Sequence, residues 1–414
     1  MSRPLRTQLP ELQQLFSLFT FTASGLNTFV REVLMWNLAY ADLSRVALGV
    51  HAVSNTSVLV AGGGGPIQAG PAVFASEDAG ATWAAAPGIK LSMVNAIGAS
   101  PHGRVAFGVS LYGQSIAFHA EGDDLAAAYK GSSDRSPSAT SGQDVEWLGD
   151  STFAAIGQFN EWQNKSACTV PASPQCSGVL LSRDGGDTFE RYPWGGSDAP
   201  GVDARYAAFP SSKTWYAAGG HFPLGSGNAM QAHFGASQPN RSAVAGYPPE
   251  PPGYRALVTK TTDGGATWAT VFNDTSFNKS RMFYFNQIGC ASDDECWAVA
   301  ECPAAECPDD GYGMFIYHTA DGGASWEEQY YEYEASALSL QVLPGRVVVG
   351  GGPVGVASNG FVWESTDGGK SWAKSILKGH GYVMDVDLLA DGAGFAVSCV
   401  AFPLSKCAVW RKAA

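Results

Sequence analysis

The chain has 414 residues, of which 45% are hydrophobic and 15% charged, so it can bury a sizeable core and global disorder is unlikely. Its formal net charge is −13 with only 25 lysines and arginines, which argues against a nucleic-acid partner because such a partner requires a basic face. The 50 glycines and the 12% of aromatic residues predict many tight turns between short strands.

Residues 1–45 form the first predicted segment. Arg3 and Arg6 precede an apolar run at 15–22, and small residues follow it. This order is typical of a signal or transit peptide, whereas Glu11 and the interspersed Ser and Thr favour an amphipathic helix packed on the main domain. A third interpretation is that the segment supplies a strand that completes the main domain. No other stretch is long and apolar enough to span a bilayer.

One eight-residue pattern, Ser/Thr-x-Asp-x-Gly-x-Ser/Thr-aromatic, occurs five times after residue 46. Its glycine allows a positive φ in a tight hairpin turn. Its aspartate can accept hydrogen bonds from turn amides, and its hydroxyls add bonds to the same turn. The aromatic residue begins the outgoing strand and buries its ring between sheets. The aspartates of the five copies are Asp78, Asp184, Asp263, Asp321 and Asp367.

These five copies resemble the Asp-box, or BNR, repeat of sialidase-like β-propellers. The same turn is found in sortilin-type receptor domains, photosystem II assembly-factor propellers and xyloglucan-cleaving enzymes. The resemblance covers roughly residues 46–412, and only the boxes match specifically. It implies that each box joins the third and fourth strands of a blade, on the face away from the ligand. It therefore identifies an architecture and not an activity.

We therefore predict an all-β fold, a seven-bladed β-propeller of four-stranded blades with Asp-box turns, over residues 46–414. The units around 90–130 and 380–412 contain no box. The last unit has only three predicted strands, so a strand from the amino-terminal segment would close the ring. The first blade begins near residue 47, and later inner strands begin near Ser92, Asp144, Asp203, Arg281, Ala337 and Gly381.

The eight cysteines lie in four close pairs, which predicts disulfides and an oxidising compartment. No Cys-x-x-Cys knuckle occurs, so no metal site is predicted. Five N-x-S/T sequons favour a glycosylated, extracellular protein, with the plastid lumen as the alternative. The predicted disulfides are Cys168–Cys176, Cys290–Cys296, Cys302–Cys307 and Cys399–Cys407, and the sequons begin at Asn55, Asn164, Asn240, Asn273 and Asn278.

The predicted ligand site lies on the face opposite the boxes, where long loops are expected between the second and third strands of blades three to five. The predicted contact residues from these loops are Trp162, His221, Phe222, His233, Phe234 and Tyr247. A recurring polar position on the inner strands is predicted to face the central channel. It comprises His51, Asn95 and Asn286 as ligand contacts, together with Glu146 and Asp385, while Tyr206 and Ser339 fill the other two blades.

The favoured function is a secreted or luminal, monomeric and non-catalytic propeller that binds a glycan or a protein segment without a cofactor. Sialidase activity is disfavoured because the sequence lacks an Arg-Ile-Pro motif before its first box. A divergent glycoside hydrolase with Asp385 and Glu146 as its carboxylates is the alternative. A second alternative is a photosystem II assembly-factor-like scaffold, because residues 290–299 resemble the inner hairpins of that group.

Overall fold

The structure is a computed structural model in which every regular element of the described residues is a β-strand. The described residues are 36–43, 46–63, 70–71, 73–85, 90–91, 94–100, 105–109, 117–120, 139–159, 176–193, 203–221, 255–274, 283–302, 312–354, 359–400 and 405–414. No helix in this part of the chain is long and apolar enough to cross a bilayer.

The strands form antiparallel sheets, and in each of the main sheets the first strand along the blade is the inner one and the last is the outer one. The first two contain β2 (Val46–Ala52), β3 (Val58–Gly63), β5 (Val73–Ser76) and β6 (Ala84–Ala85), then β8 (Val94–Ala99), β9 (Val105–Val109) and β10 (Ala117–Ala120). The next two contain β11 (Ala139–Trp147), β12 (Phe153–Phe159), β13 (Cys176–Ser182) and β14 (Glu190–Pro193), then β15 (Asp203–Ala208), β16 (Trp215–His221), β17 (Arg255–Thr261) and β18 (Ala269–Asp274).

The remaining blades follow the same order. They contain β19 (Tyr284–Cys290), β20 (Cys296–Cys302), β21 (Gly313–Thr319) and β22 (Glu327–Tyr333), then β23 (Ala335–Leu343), β24 (Arg346–Pro353), β25 (Asn359–Ser365) and β26 (Ala373–Lys378), and finally β27 (Tyr382–Leu388), β28 (Gly394–Val400), β29 (Ser405–Lys412) and β1 (Trp36–Leu43). A small ladder pairs β4 (Gly70–Pro71) with β7 (Lys90–Leu91).

The prediction of seven four-stranded blades is wrong. The described residues form six four-stranded blades, and β8, β9 and β10 form a three-stranded sheet that packs between β2 and β11. In five blades the eight-residue turn joins the third strand to the fourth, and the sequence around 90–130 has no such turn. The sixth four-stranded blade also lacks the turn, and its fourth strand is β1, which pairs antiparallel with β29.

The core lies between the faces of neighbouring sheets, and burial decreases from the second strand of a blade to its outer strand. All seven residues of β20 are buried, whereas β22 in the same sheet has only exposed and partly exposed residues. Trp215 and Trp363 are the largest fully buried side chains, and each packs in the cluster between two sheets. Apolar strand faces thus bury large rings between blades, as a propeller requires.

The five eight-residue turns have the same hydrogen bonds. In the fourth copy the Ser325 hydroxyl donates to Asp321 Oδ2 at 2.6 Å, and the Ser325 N–H donates to Asp321 Oδ1 at 2.9 Å. The Thr319 hydroxyl donates to the same carboxylate and accepts the Gly323 N–H, each at 2.9 Å. These donors hold the pKa of Asp321 down at about 2, with the Ser325 hydroxyl as the main cause.

Two of the four predicted disulfides are confirmed. Cys290–Cys296 closes the hairpin between β19 and β20, and Cys399–Cys407 joins β28 to β29. Cys302 is also disulfide-bonded. Of the other three cysteines, Cys176 is the first residue of β13, and Cys168 and Cys307 lie outside the described residues. Three of the five sequons, Asn164, Asn240 and Asn278, also lie outside them.

Candidate functional site

The inner strands share one irregularity. The strands β2, β8, β11, β15, β19, β23 and β27 each have a register shift against the second strand of their sheet. Such a β-bulge adds one residue and changes the direction of the side chains that follow it. The bulged residues are Leu48, Asn95, Gln143, Arg205, Asn286, Leu338 and Met384.

Two carboxylates that follow the bulge of β27 contact the first blade. Asp385 accepts the Val50 N–H at 2.9 Å, and Asp387 accepts the Ala52 N–H at 2.8 Å. The other oxygen of Asp385 accepts the Val386 N–H at 2.9 Å. Because β2 is the inner edge of its sheet, no strand in the described part of the chain pairs with these outward N–H groups. The two carboxylates therefore satisfy an open strand edge.

The same arrangement joins the third blade to the fourth. Asp144 and Glu146, also two residues apart, accept hydrogen bonds from the backbone of Ala207 and Phe209 respectively. Asp144 accepts the N–H of its neighbour Val145 at 2.9 Å as well, just as Asp385 does with Val386. We call Asp385 with Asp387, and Asp144 with Glu146, the two carboxylate pairs.

Two glutamines that sequence reasoning missed occupy equivalent positions on other inner strands. Gln341 accepts the Leu388 N–H at 2.7 Å and donates to the Leu388 carbonyl at 3.1 Å and to Asp387. Gln287 accepts the Ile288 N–H at 3.0 Å and hydrogen-bonds to Asp144. The signal that could have found them is a polar residue one or three places after each bulge, which requires the bulge to be located first.

Enclosure by the ring changes the proton affinity of the carboxylate pairs. Loss of solvation raises the pKa of Asp385 to about 8, and the charges of Asp387 and Asp144 add to this effect. Loss of solvation likewise raises the pKa of Asp144 to about 6. The pKa of Glu146 rises to about 8 from enclosure and from the charge of Asp144, although its side chain is exposed to solvent. The charge of Asp144 thus acts on Asp385, although the two residues lie on different inner strands, β11 and β27.

The predicted inner-strand residues occupy three different positions. Asp385 is the first residue after the bulge of its strand, whereas His51 and Glu146 are each the third residue after theirs. Asn286 and Asn95 are the bulged residues themselves. Two further members of the predicted set, Tyr206 and Ser339, are also the first residue after the bulge of their strands. His51 Nδ1 lies 3.0 Å from Asp387 Oδ2, so the structure brings His51 to the carboxylate pair. Asn286 is buried and donates to the Ala337 carbonyl of the next blade at 2.7 Å.

The structure describes one of the six predicted loop contacts. His221 is the last residue of β16 and pairs with Arg255. The other five predicted loop residues, Trp162, Phe222, His233, Phe234 and Tyr247, lie outside the described residues.

The carboxylate pairs hold blades together through backbone hydrogen bonds. Both oxygens of Asp385 accept backbone N–H groups, which leaves less capacity to act on a substrate than a free carboxylate has. Within the described ranges no three His, Cys, Asp or Glu side chains are grouped closely enough to hold a metal ion. The role that these hydrogen bonds support directly is a structural one, the joining of neighbouring blades.

A second polar cluster, which the sequence did not predict, lies near the start of two inner strands. Glu301 is only 2% exposed, and its carboxylate accepts hydrogen bonds from the Tyr284 hydroxyl at 2.5 Å and from the Ser336 hydroxyl. Because Tyr284 is on β19 and Ser336 is on β23, this cluster also joins two neighbouring blades. It is a further case of a carboxylate that is hydrogen-bonded across a blade boundary.

A ring of radially packed antiparallel sheets with an axial set of inner strands is the fold of a β-propeller. No protein-family model matches the chain. Among solved structures, Ycf48 bound to a D1 peptide is similar over 92% of this chain and 97% of that one, with a TM-score of 0.53 and 13% identity. Ycf48 from Cyanidioschyzon merolae is similar over 91% and 98%, with a TM-score of 0.51 and 10% identity.

The WD40 propeller domain of Doa1 gives comparable values, a TM-score of 0.51 and 10% identity over 91% of this chain and 96% of that one. At these identities the likeness shows the fold alone. Among curated proteins, the photosystem II assembly lipoprotein Ycf48 of Synechococcus sp. (strain CC9902) is 26% identical over 151 residues. That match spans 35% of this chain and 39% of the relative.

Proposed function

We propose that the protein is a non-catalytic propeller that binds a segment of another protein, as a scaffold of the photosystem II assembly-factor kind. The observation that carries the proposal is the 26% identity to a photosystem II assembly lipoprotein, Ycf48, over 151 residues. A Ycf48 structure with a bound D1 peptide also matches 92% of this chain in fold. This function was the second alternative from the sequence, and it now has more support than glycan binding.

The hydrogen bonds of the carboxylate pairs argue against the hydrolase alternative. A glycoside hydrolase requires one carboxyl group to protonate the leaving group and a second to act as nucleophile or base. Asp385 and Glu146 instead accept backbone N–H groups from neighbouring blades. Both carboxylates that the hydrolase alternative would use therefore already have a structural role between blades.

The repeated turns support assignment of the chain to the Asp-box propellers, because all five copies have the same carboxylate and hydroxyl bonds. The proposed contacts remain His51, Asn95 and Asn286 on the inner strands and Trp162, His221, Phe222 and Tyr247 from the loops. The disulfides indicate an oxidising compartment. We favour an organelle lumen over the extracellular space because the relative is an assembly lipoprotein of photosystem II. Cell fractionation, with glycosidase treatment to detect N-glycans, tests this location.

The function is tested by fluorescence anisotropy with overlapping synthetic peptides that cover the D1 protein. We expect saturable binding of one or a few neighbouring peptides, and none of scrambled peptides of the same composition. In parallel, a panel of glycans is tested for binding and for release of reducing ends. Absence of binding to every D1 peptide, or glycan cleavage that Asp385→Asn abolishes, would contradict the proposal.

A further inference from the structure

A single residue, Glu334, joins the outer strand of one blade to the inner strand of the next. It follows β22 and precedes β23 directly, and its φ of 56° lies in the left-handed region. Its N–H donates to the Tyr312 carbonyl at 3.3 Å, and its carbonyl accepts the Val354 N–H at 2.8 Å. Its backbone is thus fixed to both blades, while its side chain is exposed.

Glycine would adopt this backbone conformation at lower cost, because a Cβ in the left-handed region meets the following carbonyl oxygen. Only one other non-glycine residue in the described chain has a positive φ, Ala79 in the first eight-residue turn. A strained residue whose side chain points to solvent gains nothing for packing, so the strain at Glu334 suggests a functional role for the carboxylate.

Two tyrosines lie beside Glu334. The rings of Tyr312 and Tyr333 pack edge to face, with their centroids 5.7 Å apart. Tyr333 is 53% exposed, although large hydrophobic side chains in this fold are mostly buried. Burial, followed by the charge of Glu334, raises the pKa of Tyr312, so the carboxylate acts electrostatically on this ring. The Tyr312 carbonyl also accepts the Tyr331 hydroxyl at 3.1 Å, which fixes the segment further.

We propose that Tyr312, Tyr333 and Glu334 form a recognition site for an arginine or lysine side chain of an extended protein segment. A tyrosine face attracts a cation, and a carboxylate beside it adds a charge-assisted hydrogen bond. The exposed carboxylate favours a cation over a proline-rich segment, which would need the aromatic surface alone. The formal charge of −13 also favours a basic partner. This site rests on the proposed function of protein binding and specifies the chemistry of the partner.

The test uses a fluorescein-labelled Gly/Ser peptide with two arginines, and a matched peptide with citrulline, which has nearly the shape of arginine without its charge. Binding to the full chain is measured by anisotropy at low ionic strength. We expect the arginine peptide to bind more tightly than the citrulline peptide, and Glu334→Gln and Tyr333→Leu each to weaken it about fivefold. A proline-rich peptide that binds better than the arginine peptide would overturn the proposal.

Two controls separate recognition from general charge and from folding. Glu327→Gln removes the same charge at the opposite end of β22 and should leave peptide affinity unchanged. Glu334→Gly should raise the melting temperature and still weaken the peptide, whereas Ala79→Gly should raise the melting temperature and leave binding unchanged. Equal weakening by Glu327→Gln and Glu334→Gln would show non-specific attraction and would contradict the site.

The D1 peptides are measured on the same variants. If the arginine peptide binds through Glu334 while no D1 peptide binds, the site stands and the photosystem II assignment fails. If D1 peptides bind equally to the wild type and to Glu334→Gln, and the arginine peptide does not bind, the assignment stands and the site fails.

Discussion

Ala79 is the fourth residue of the first eight-residue turn, and the other four turns have glycine at that position. Its φ is 60°, and the equivalent residues Gly185, Gly264, Gly322 and Gly368 have φ between 72° and 75°. An alanine in this region is strained by about 1 kcal/mol or more relative to glycine. We therefore expect Ala79→Gly to raise the free energy of unfolding by about 1 kcal/mol, measured by urea denaturation. The neighbouring change Ala81→Gly should give no such gain, and equal effects of the two changes would contradict the assignment of strain.

The turn aspartates make stability depend on pH at the acid end. The pKa of Asp321 is about 2 in the fold against an ordinary value of 3.8, with the Ser325 hydroxyl as the main cause. Its stabilising contribution is complete above about pH 4 and is lost as the pH falls through about 2. Asp321→Asn should therefore make thermal stability less sensitive to pH in this range. Ser325→Ala should move the loss to higher pH, and an unchanged acid transition in both variants would contradict this.

At the scale of the strand, the bulges place polar side chains over the open edge of the next blade. Gln341 shows this most clearly, because it both accepts from and donates to the backbone of Leu388. Removal of one partner leaves a buried or half-buried backbone group unsatisfied, which costs about 1–3 kcal/mol. We expect Gln341→Leu to lower the free energy of unfolding by that amount in urea denaturation.

The matched control for this prediction is on the same strand. Ser339 is buried, and among the described residues its hydroxyl has no hydrogen-bond partner. Ser339→Ala should therefore leave stability unchanged or raise it slightly. If Gln341→Leu were as harmless as Ser339→Ala, the hydrogen bonds between blades would contribute nothing measurable.

The sequence predicted the strands and turns well because each depends on a local pattern. The turn at Asp321 can be recognised from residues 319–326 alone, since its hydrogen bonds all lie within that span. The candidate site could not be predicted in the same way. Asp385 bonds to Val50, 335 residues away, and that contact depends on a bulge at Met384 that apolar alternation does not reveal. An alignment of the inner strands on their apolar residues therefore groups side chains that stand at three different positions relative to the bulge.

At the scale of the whole molecule, the ring is held at its junction by strand pairing and by buried charge. β1 pairs with β29, and Lys412 on β29 lies 2.8 Å from the buried carboxylate of Glu364 in the preceding blade. Arg346 contacts the same carboxylate at 2.8 Å. The number of complete blades could not be predicted from length, because a blade without the turn can still receive its fourth strand from elsewhere in the chain, as the last blade does from β1. The described residues of the unit that begins at β8 form three strands, and a count of inner-strand starts does not detect this difference.

The carboxylate pairs lead to the opposite prediction for the pH dependence of stability in the neutral range. The pKa of Asp385 is about 8 in the fold against an ordinary 3.8, and that of Asp144 is about 6. Between about pH 4 and about pH 8 the folded ring holds protons that the unfolded chain has released, so stability falls as the pH rises, with a slope of about 1.4 kcal/mol per pH unit for each full proton.

We therefore expect the wild type to have a lower free energy of unfolding at about pH 8 than at about pH 5, and Asp385→Asn to reduce this difference. The variant also loses one of the two backbone N–H bonds that the carboxylate accepts, so it should be less stable than the wild type at the lower pH. Asp385→Asn should thus change both the pH dependence of the free energy of unfolding and its value at about pH 5, and the two effects can be measured separately. Stability that rises from about pH 5 to about pH 8 would mean that the pairs are charged throughout and that their backbone hydrogen bonds outweigh the cost of enclosure.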